Sequence, residues 1–181
     1  MTQKDLITAP IIILMVLFSI LTNTYAQKPE EEAYNKGVKY YHKKMFDEAI
    51  IQYNKAIEIK PKFWQAHYNR GCAYATKGDF DQAISDYSKT IEINPKFADA
   101  YYNRAHAYDV KGDHERAISD CSKAIEINPK YGSAYYNRGA IYFSMKEYDK
   151  ALVDVHKAQS LGLAVNPEFL NALKKALGSD K

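Results

Sequence analysis

Cysteine is almost absent from this chain, with Cys72 and Cys121 the only two among 181 residues. They lack CxxC spacing and a paired histidine, which removes a disulfide framework, a dithiol redox centre and a zinc site from consideration. The eight glycines are scattered singly, so there is neither a phosphate-cradling loop nor a GxSxG elbow. Neither sign of charge dominates, since 25 Lys and Arg stand against 22 Asp and Glu for a net +3. Such a balance provides no field for nucleic acid or anionic lipid and reads as a solubility value. Tryptophan occurs once, whereas tyrosine occurs sixteen times.

Only one long apolar run is present, from Ile11 to Leu21. Lys4 precedes it, polar Thr22 and Asn23 follow, and Thr24 and Ala26 lie three and one before a cut after Ala26. This pattern predicts a secretory signal peptide over 1–26 and a linker over 27–29. The run is short of the roughly 20 apolar residues a spanning helix needs. The expected location is therefore exported, periplasmic or secreted, with no membrane insertion after cleavage. A membrane anchor formed by an uncleaved N-terminal segment is the alternative.

From Glu30 onward the chain repeats itself. HYNRGCAYATKGDFDQAISDYSKTIEINPKF, from His67, returns as YYNRAHAYDVKGDHERAISDCSKAIEINPKY from Tyr101 and as YYNRGAIYFSMKEYDKALVDVHKA from Tyr135. Alignment on these strings gives units at 30–63, 64–97, 98–131 and 132–165, with 166–181 left over. A fixed period of this size marks a solenoid, each copy being one supersecondary unit that cannot bury its apolar face alone. The tyrosine excess is a by-product of the period.

Within a unit the apolar spacing is helical, as with Tyr101, Ala105 and Tyr108. Lys111, Gly112 and Asp113 break it, glycine ending one helix and aspartate capping the next. Asp79 followed by Gln82 fits a capping box. The second helix carries Ala117, Ile118, Cys121, Ala124 and Ile125 before Asn128 and Pro129 stop it. Small residues at Gly37, Gly71, Ala105 and Gly139, and at Ala49, Ala83, Ala117 and Ala151, allow the two helices to approach closely. After the fourth unit, Asn166 and Pro167 open a last helix whose Phe169, Leu170, Leu173, Ala176 and Leu177 share one face. Such a helix is expected to cover the end of the stack.

The recurring small residue, Tyr40, Tyr74, Tyr108 and Tyr142, the alanine column, the aromatic at Tyr53 and Tyr87, and Pro61, Pro95 and Pro129 resemble the tetratricopeptide repeat family. Cys121 and Val155 depart from the aromatic, and Leu163 stands where the fourth proline would fall. The resemblance implies an all-α fold: a right-handed superhelical solenoid of four helix hairpins plus a C-terminal capping helix. It also implies that the first helices line a concave groove. Two columns then lie on or beside that groove, Tyr34, Tyr68, Tyr102 and Tyr136, and Asn35, Asn69, Asn103 and Asn137. A tyrosine offers rigid apolar area with a polar tip, and an asparagine amide both donates and accepts. The same residues equally serve helix packing. Partner specificity is expected where the copies differ, at Glu31, Gln65, Asp99 and Ser133, and at Val38, Cys72, His106 and Ala140. Some family members clamp the carboxylate terminus of chaperones, and of the positions involved only Asn69 matches, against Tyr34, Val38, Asp99 and Asn103.

Catalysis has no constellation to rest on. His42, His67, His106, His114 and His156 fall in five different columns, and no carboxylate or cysteine completes a metal site with any of them. Lys55, Lys89, Lys123 and Lys157, alternating with Glu58, Glu92 and Glu126, read as the solvated face of the second helices. In an oxidising compartment the two cysteines are expected to stay unbridged, because their helices are not neighbours and a bridge needs Cα atoms within about 7 Å. The functional expectation is an exported, non-enzymatic scaffold or adaptor without metal, cofactor, nucleic-acid partner or small-molecule substrate. It would hold a protein or peptide against Tyr34, Asn35, Tyr68, Asn69, Tyr102, Asn103, His106, Tyr136 and Asn137. The alternative is a structural or assembly factor of the cell envelope acting through self-association or its convex face.

Overall fold

A computed structural model describes residues 28–178, and the N-terminal signal segment expected from the sequence lies outside them. The described residues form helices joined by short turns, with no strand among them. Four antiparallel hairpins follow one another: α1 (Pro29–His42) with α2 (Phe46–Ile59), α3 (Trp64–Lys77) with α4 (Phe80–Ile93), α5 (Ala98–Val110) with α6 (His114–Ile127), and α7 (Gly132–Ser144) with α8 (Tyr148–Ser160). A last helix, α9 (Pro167–Ala176), closes the series. Each hairpin packs on the next, which makes the chain an all-helical solenoid.

The turn inside each hairpin needs one residue in the left-handed region. Gly78 and Gly112 supply it at φ 83° and 78°, and in the first and last hairpins Lys44 and Lys146 adopt φ 60° and 64°. The conformation belongs to the turn and is imposed on lysine where glycine is missing. Asp79 and Asp113 then cap α4 and α6, accepting from the backbone N–H of Gln82 and Arg116. Asn166 accepts from the N–H of Glu168 at 2.8 Å, with Pro167 opening α9.

Close approach of the two helices depends on matched sizes. The Tyr53 ring lies where a Cβ on Gly37 would be only 2.5 Å from Cε1, and Tyr87 crowds Gly71 in the same way at 2.9 Å. Where the tyrosine is replaced by Cys121, the facing position carries Ala105, and both are fully buried. The exchange is only partial, since in the fourth hairpin Val155 replaces the tyrosine and still faces a glycine, with its Cγ2 3.1 Å from where a Cβ on Gly139 would lie.

The strongest polar contacts were not anticipated from the sequence. Arg70, Arg104 and Arg138 each grip the aspartate of their own hairpin with two parallel bonds of 2.7 to 2.8 Å, to Asp86, Asp120 and Asp154. Each guanidinium also donates backwards to the hairpin before it, to Asn54, Ser88 and Ser122. The three carboxylates are buried, 4 to 6% exposed, so the fork geometry and the burial reinforce each other. His67 joins the first of these clamps, its Nε2 donating to the Pro61 carbonyl at 2.9 Å while Nδ1 faces Asp86. The first hairpin has Lys36 and Gln52 in the corresponding places, and Lys36 pairs with Glu32 instead.

At the far end Leu173 of α9 is fully buried, with Phe169, Leu170 and Leu177 packed beside it against Ala151 and Val155. Lys174 and Lys175 face outward, and Ala176 is also exposed. The lysine column of the second helices is solvated as expected, Lys89 and Lys123 each holding the glutamate three residues on.

Replacing Asp120 by alanine leaves the half-buried Arg104 without its carboxylate and is expected to cost about 3 kcal/mol, read as a lowered urea midpoint. Lys146→Gly relieves the left-handed strain, offset in part by glycine's greater chain entropy. A gain of about 0.5 kcal/mol and 1–2 °C in the thermal midpoint is expected by calorimetry.

Candidate interaction groove

The first helices of neighbouring hairpins touch one another, α1 with α3, α3 with α5 and α5 with α7, whereas each second helix packs on its own first helix and on the first helix of the hairpin that follows. The stack therefore curves toward its first helices, and their exposed sides form the inner wall.

The tyrosine column lies there and is half-buried. Each ring rests against the aromatic that ends its own unit: Tyr34 on Phe63 at 5.1 Å, Tyr68 on Phe97 at 4.9 Å and Tyr102 on Tyr131 at 5.1 Å between centroids. The fourth unit ends in Val165, and Tyr136 finds its ring partner in Phe169 of α9 at 5.7 Å. These contacts are of the tilted and edge-on kinds that favour aromatic pairs. Burial raises the Tyr34 and Tyr102 hydroxyls above the ordinary tyrosine range, so they remain protonated on the groove wall.

The asparagines join one hairpin to the last. Asn69 Nδ2 donates to the Tyr34 hydroxyl at 2.9 Å, and Asn103 Nδ2 to the Tyr68 hydroxyl at the same distance. Asn137 instead points to the Cys121 sulfur at 3.8 Å. Asn35 has no preceding hairpin among the described residues and is exposed, as is His106. Of the expected site residues, the tyrosines and three asparagines are thus engaged in the stack, while Asn35 and His106 present open side chains. Asp109, which shares a helix with His106, bonds His114 across the turn at 3.0 Å. Asn137 follows Tyr102 by the same 35 positions that separate the bonded pairs yet rests on sulfur, so spacing alone does not identify the bonded amides.

One recess is formed where the first two hairpins meet. Val38, Tyr41, His42, Tyr53, Asn69 and Cys72 border about 160 Å³ of space, enough for one medium apolar side chain. The Tyr41 hydroxyl also approaches Thr76 of the second hairpin at 3.4 Å. Cys72 reaches this recess, where burial raises its thiol above the usual range. Cys121 is fully enclosed and its thiol is pushed up to about 12 by burial. Both are free, and neither has thiolate character. Among the described residues no three His, Cys, Asp or Glu side chains converge on a metal-sized site.

The comparisons agree with this geometry. Models of the tetratricopeptide repeat match residues 64–97, 98–131 and 132–161, and a related repeat model matches 37–78. No curated protein matches the chain in sequence. Among solved structures, a crystal structure of MamA protein is similar at a TM-score of 0.75 and 28% identity, covering 84% of each chain. A MamA from Desulfovibrio magneticus RS-1 is similar at 0.70 and 20% identity over 74% of this chain and 75% of its own. The Arabidopsis OM64 TPR domain is similar at 0.63 and 24% identity, over 65% of this chain and 97% of that domain. Domains of this kind hold proteins or peptides on a helical scaffold. With repeat models covering well over half its length, the chain belongs to the tetratricopeptide repeat family.

Proposed function

We propose that this protein is an exported, non-catalytic scaffold that holds a protein or peptide segment along the inner wall of its first helices. The observation that carries this reading is the recess between the first two hairpins, an apolar pocket opening onto a wall of tyrosine and asparagine. An extended segment would place one apolar side chain among Val38, Tyr41 and Cys72. Its backbone would meet the amide oxygens of Asn69 and Asn103, whose nitrogens are already spent on tyrosine. The exposed Asn35, His42 and His106 flank this path, and the two histidines, in columns where the copies differ, supply the copy-specific contacts. A segment of chain gains regular anchoring from such a wall at modest cost, because the wall is held in place by its own packing.

A second reading rests on Val153, 69% exposed, and Ile51, 51% exposed, on second helices. These apolar side chains suit a structural or assembly role through the convex side.

Pull-down from the native envelope separates the two. Val38→Glu with His106→Ala should lose most of the captured partner while the helical signal in circular dichroism is unchanged, and Val153→Ser with Ile51→Ser should capture normally. The reverse pattern would replace the groove by the convex face. For location, the mature protein is expected to begin at Gln27 by N-terminal sequencing, whereas an intact Met1 in a membrane pellet would establish the anchor.

A further inference from the structure

The first hairpin turns outward a helix side that is buried at every later junction. In α3, α5 and α7 this side carries Ala66, Ala100 and Ala134, then Ala73, Ala107 and Ile141, all at most 1% exposed. In α1 the same places hold Glu32 and Lys39, both exposed. Lys36 stands where the clamping arginines do, and Lys43 follows one turn after Lys39. Glu32, Lys36, Lys39 and Lys43 thus make a polar stripe at helical spacing. Lys36, Lys39, Tyr40 and Lys43 border a recess of about 230 Å³.

Lys77 and Lys111 show what a lysine in this place binds. They occupy the position of Lys43 in the next two hairpins, and each reaches a carboxylate of the hairpin before it, Asp47 and Asp81. Both carboxylates sit in the first turn of a helix. Lys43 is the same rung with no hairpin before it among the described residues. Lys36 is tied to Glu32 at 2.7 Å, whereas Lys39, Lys43 and the neighbouring Lys44 have no ion partner among the described residues. Glu30 and Glu31 lie at the start of α1, so the positive charge is concentrated over its last two turns.

We infer that this end of the solenoid is a docking surface for an acidic protein segment presenting carboxylates at the start of a helix, as α2 and α4 do inside the stack. It lies apart from the inner wall and stands or falls independently of the groove. A second copy does not fit as the occupant. Its matching first-turn carboxylate, Asp149, lies at the end closed by α9, and Lys39 stands where stacking of one hairpin on another places alanine or isoleucine. A flat anionic membrane would meet the lysines but leave the recess beside Tyr40 unfilled.

Fluorescently labelled poly-L-glutamate, titrated against the full chain, tests this. Saturable binding that weakens with added salt is expected, and Lys39→Glu with Lys43→Glu should weaken it at least tenfold. Lys89→Glu with Lys123→Glu on the second helices should change it less than twofold, and so should His106→Ala in the groove. Thermal melts of each variant establish that the stack is intact, these side chains being exposed. Absence of binding, equal loss in the two lysine pairs, or binding of phosphatidylglycerol vesicles through Lys39 and Lys43 in preference to poly-L-glutamate would each overturn the inference.

Discussion

Three guanidinium groups set the geometry on which the rest of this solenoid depends. A planar fork held by two bonds to a buried carboxylate fixes the distance and rotation between the helices of one hairpin, and its remaining donor fixes the hairpin to its predecessor. Apolar packing alone permits sliding along the helix axis, because alanine and leucine-like surfaces tolerate small shifts in register. The fork does not, since a shift of one turn would leave a buried charge unpaired. The tyrosine and asparagine columns stay in line along the inner wall because every hairpin after the first is indexed in this way.

The two ends of the stack are finished by different chemistry. At the C-terminus a short amphipathic helix buries Leu173 and lends Phe169 to Tyr136, replacing the aromatic that the fourth unit lacks. At the N-terminus no cover is present among the described residues, and charge takes its place, with Glu32 and Lys39 where later hairpins have alanine or isoleucine. A solenoid needs a polar outer side at its terminal units to remain soluble. Here one end meets that need by covering an apolar side, the other by never making one.

Much of this was legible from residue spacing. Helix count, turn positions, the caps at Asp79 and Asp113 and the closing helix follow from periodicity and capping chemistry, which act locally. The Arg–Asp clamp was not read, although its signal was present: Arg and Asp recur together in three units and are lost together in the first, as Lys36 and Gln52. Their separation of sixteen residues spans a turn, and helical spacing rules reach only three or four. The left-handed lysines were hidden for a different reason, because that conformation is demanded by the hairpin and leaves no mark on the residue that adopts it. The tyrosine and asparagine columns were legible as columns of the first helices, but spacing could not tell which amides were already bonded. That depends on the side-chain reach between hairpins.

The bonds from Asn69 to Tyr34 and from Asn103 to Tyr68 fasten the first two junctions on their inner side, and the third junction has no such fastener, its Asn137 resting on sulfur. All three junctions keep the arginine bond, to Asn54, Ser88 and Ser122. The hairpins are therefore laced along two lines, an arginine line through every junction and an asparagine–tyrosine line that ends after the second.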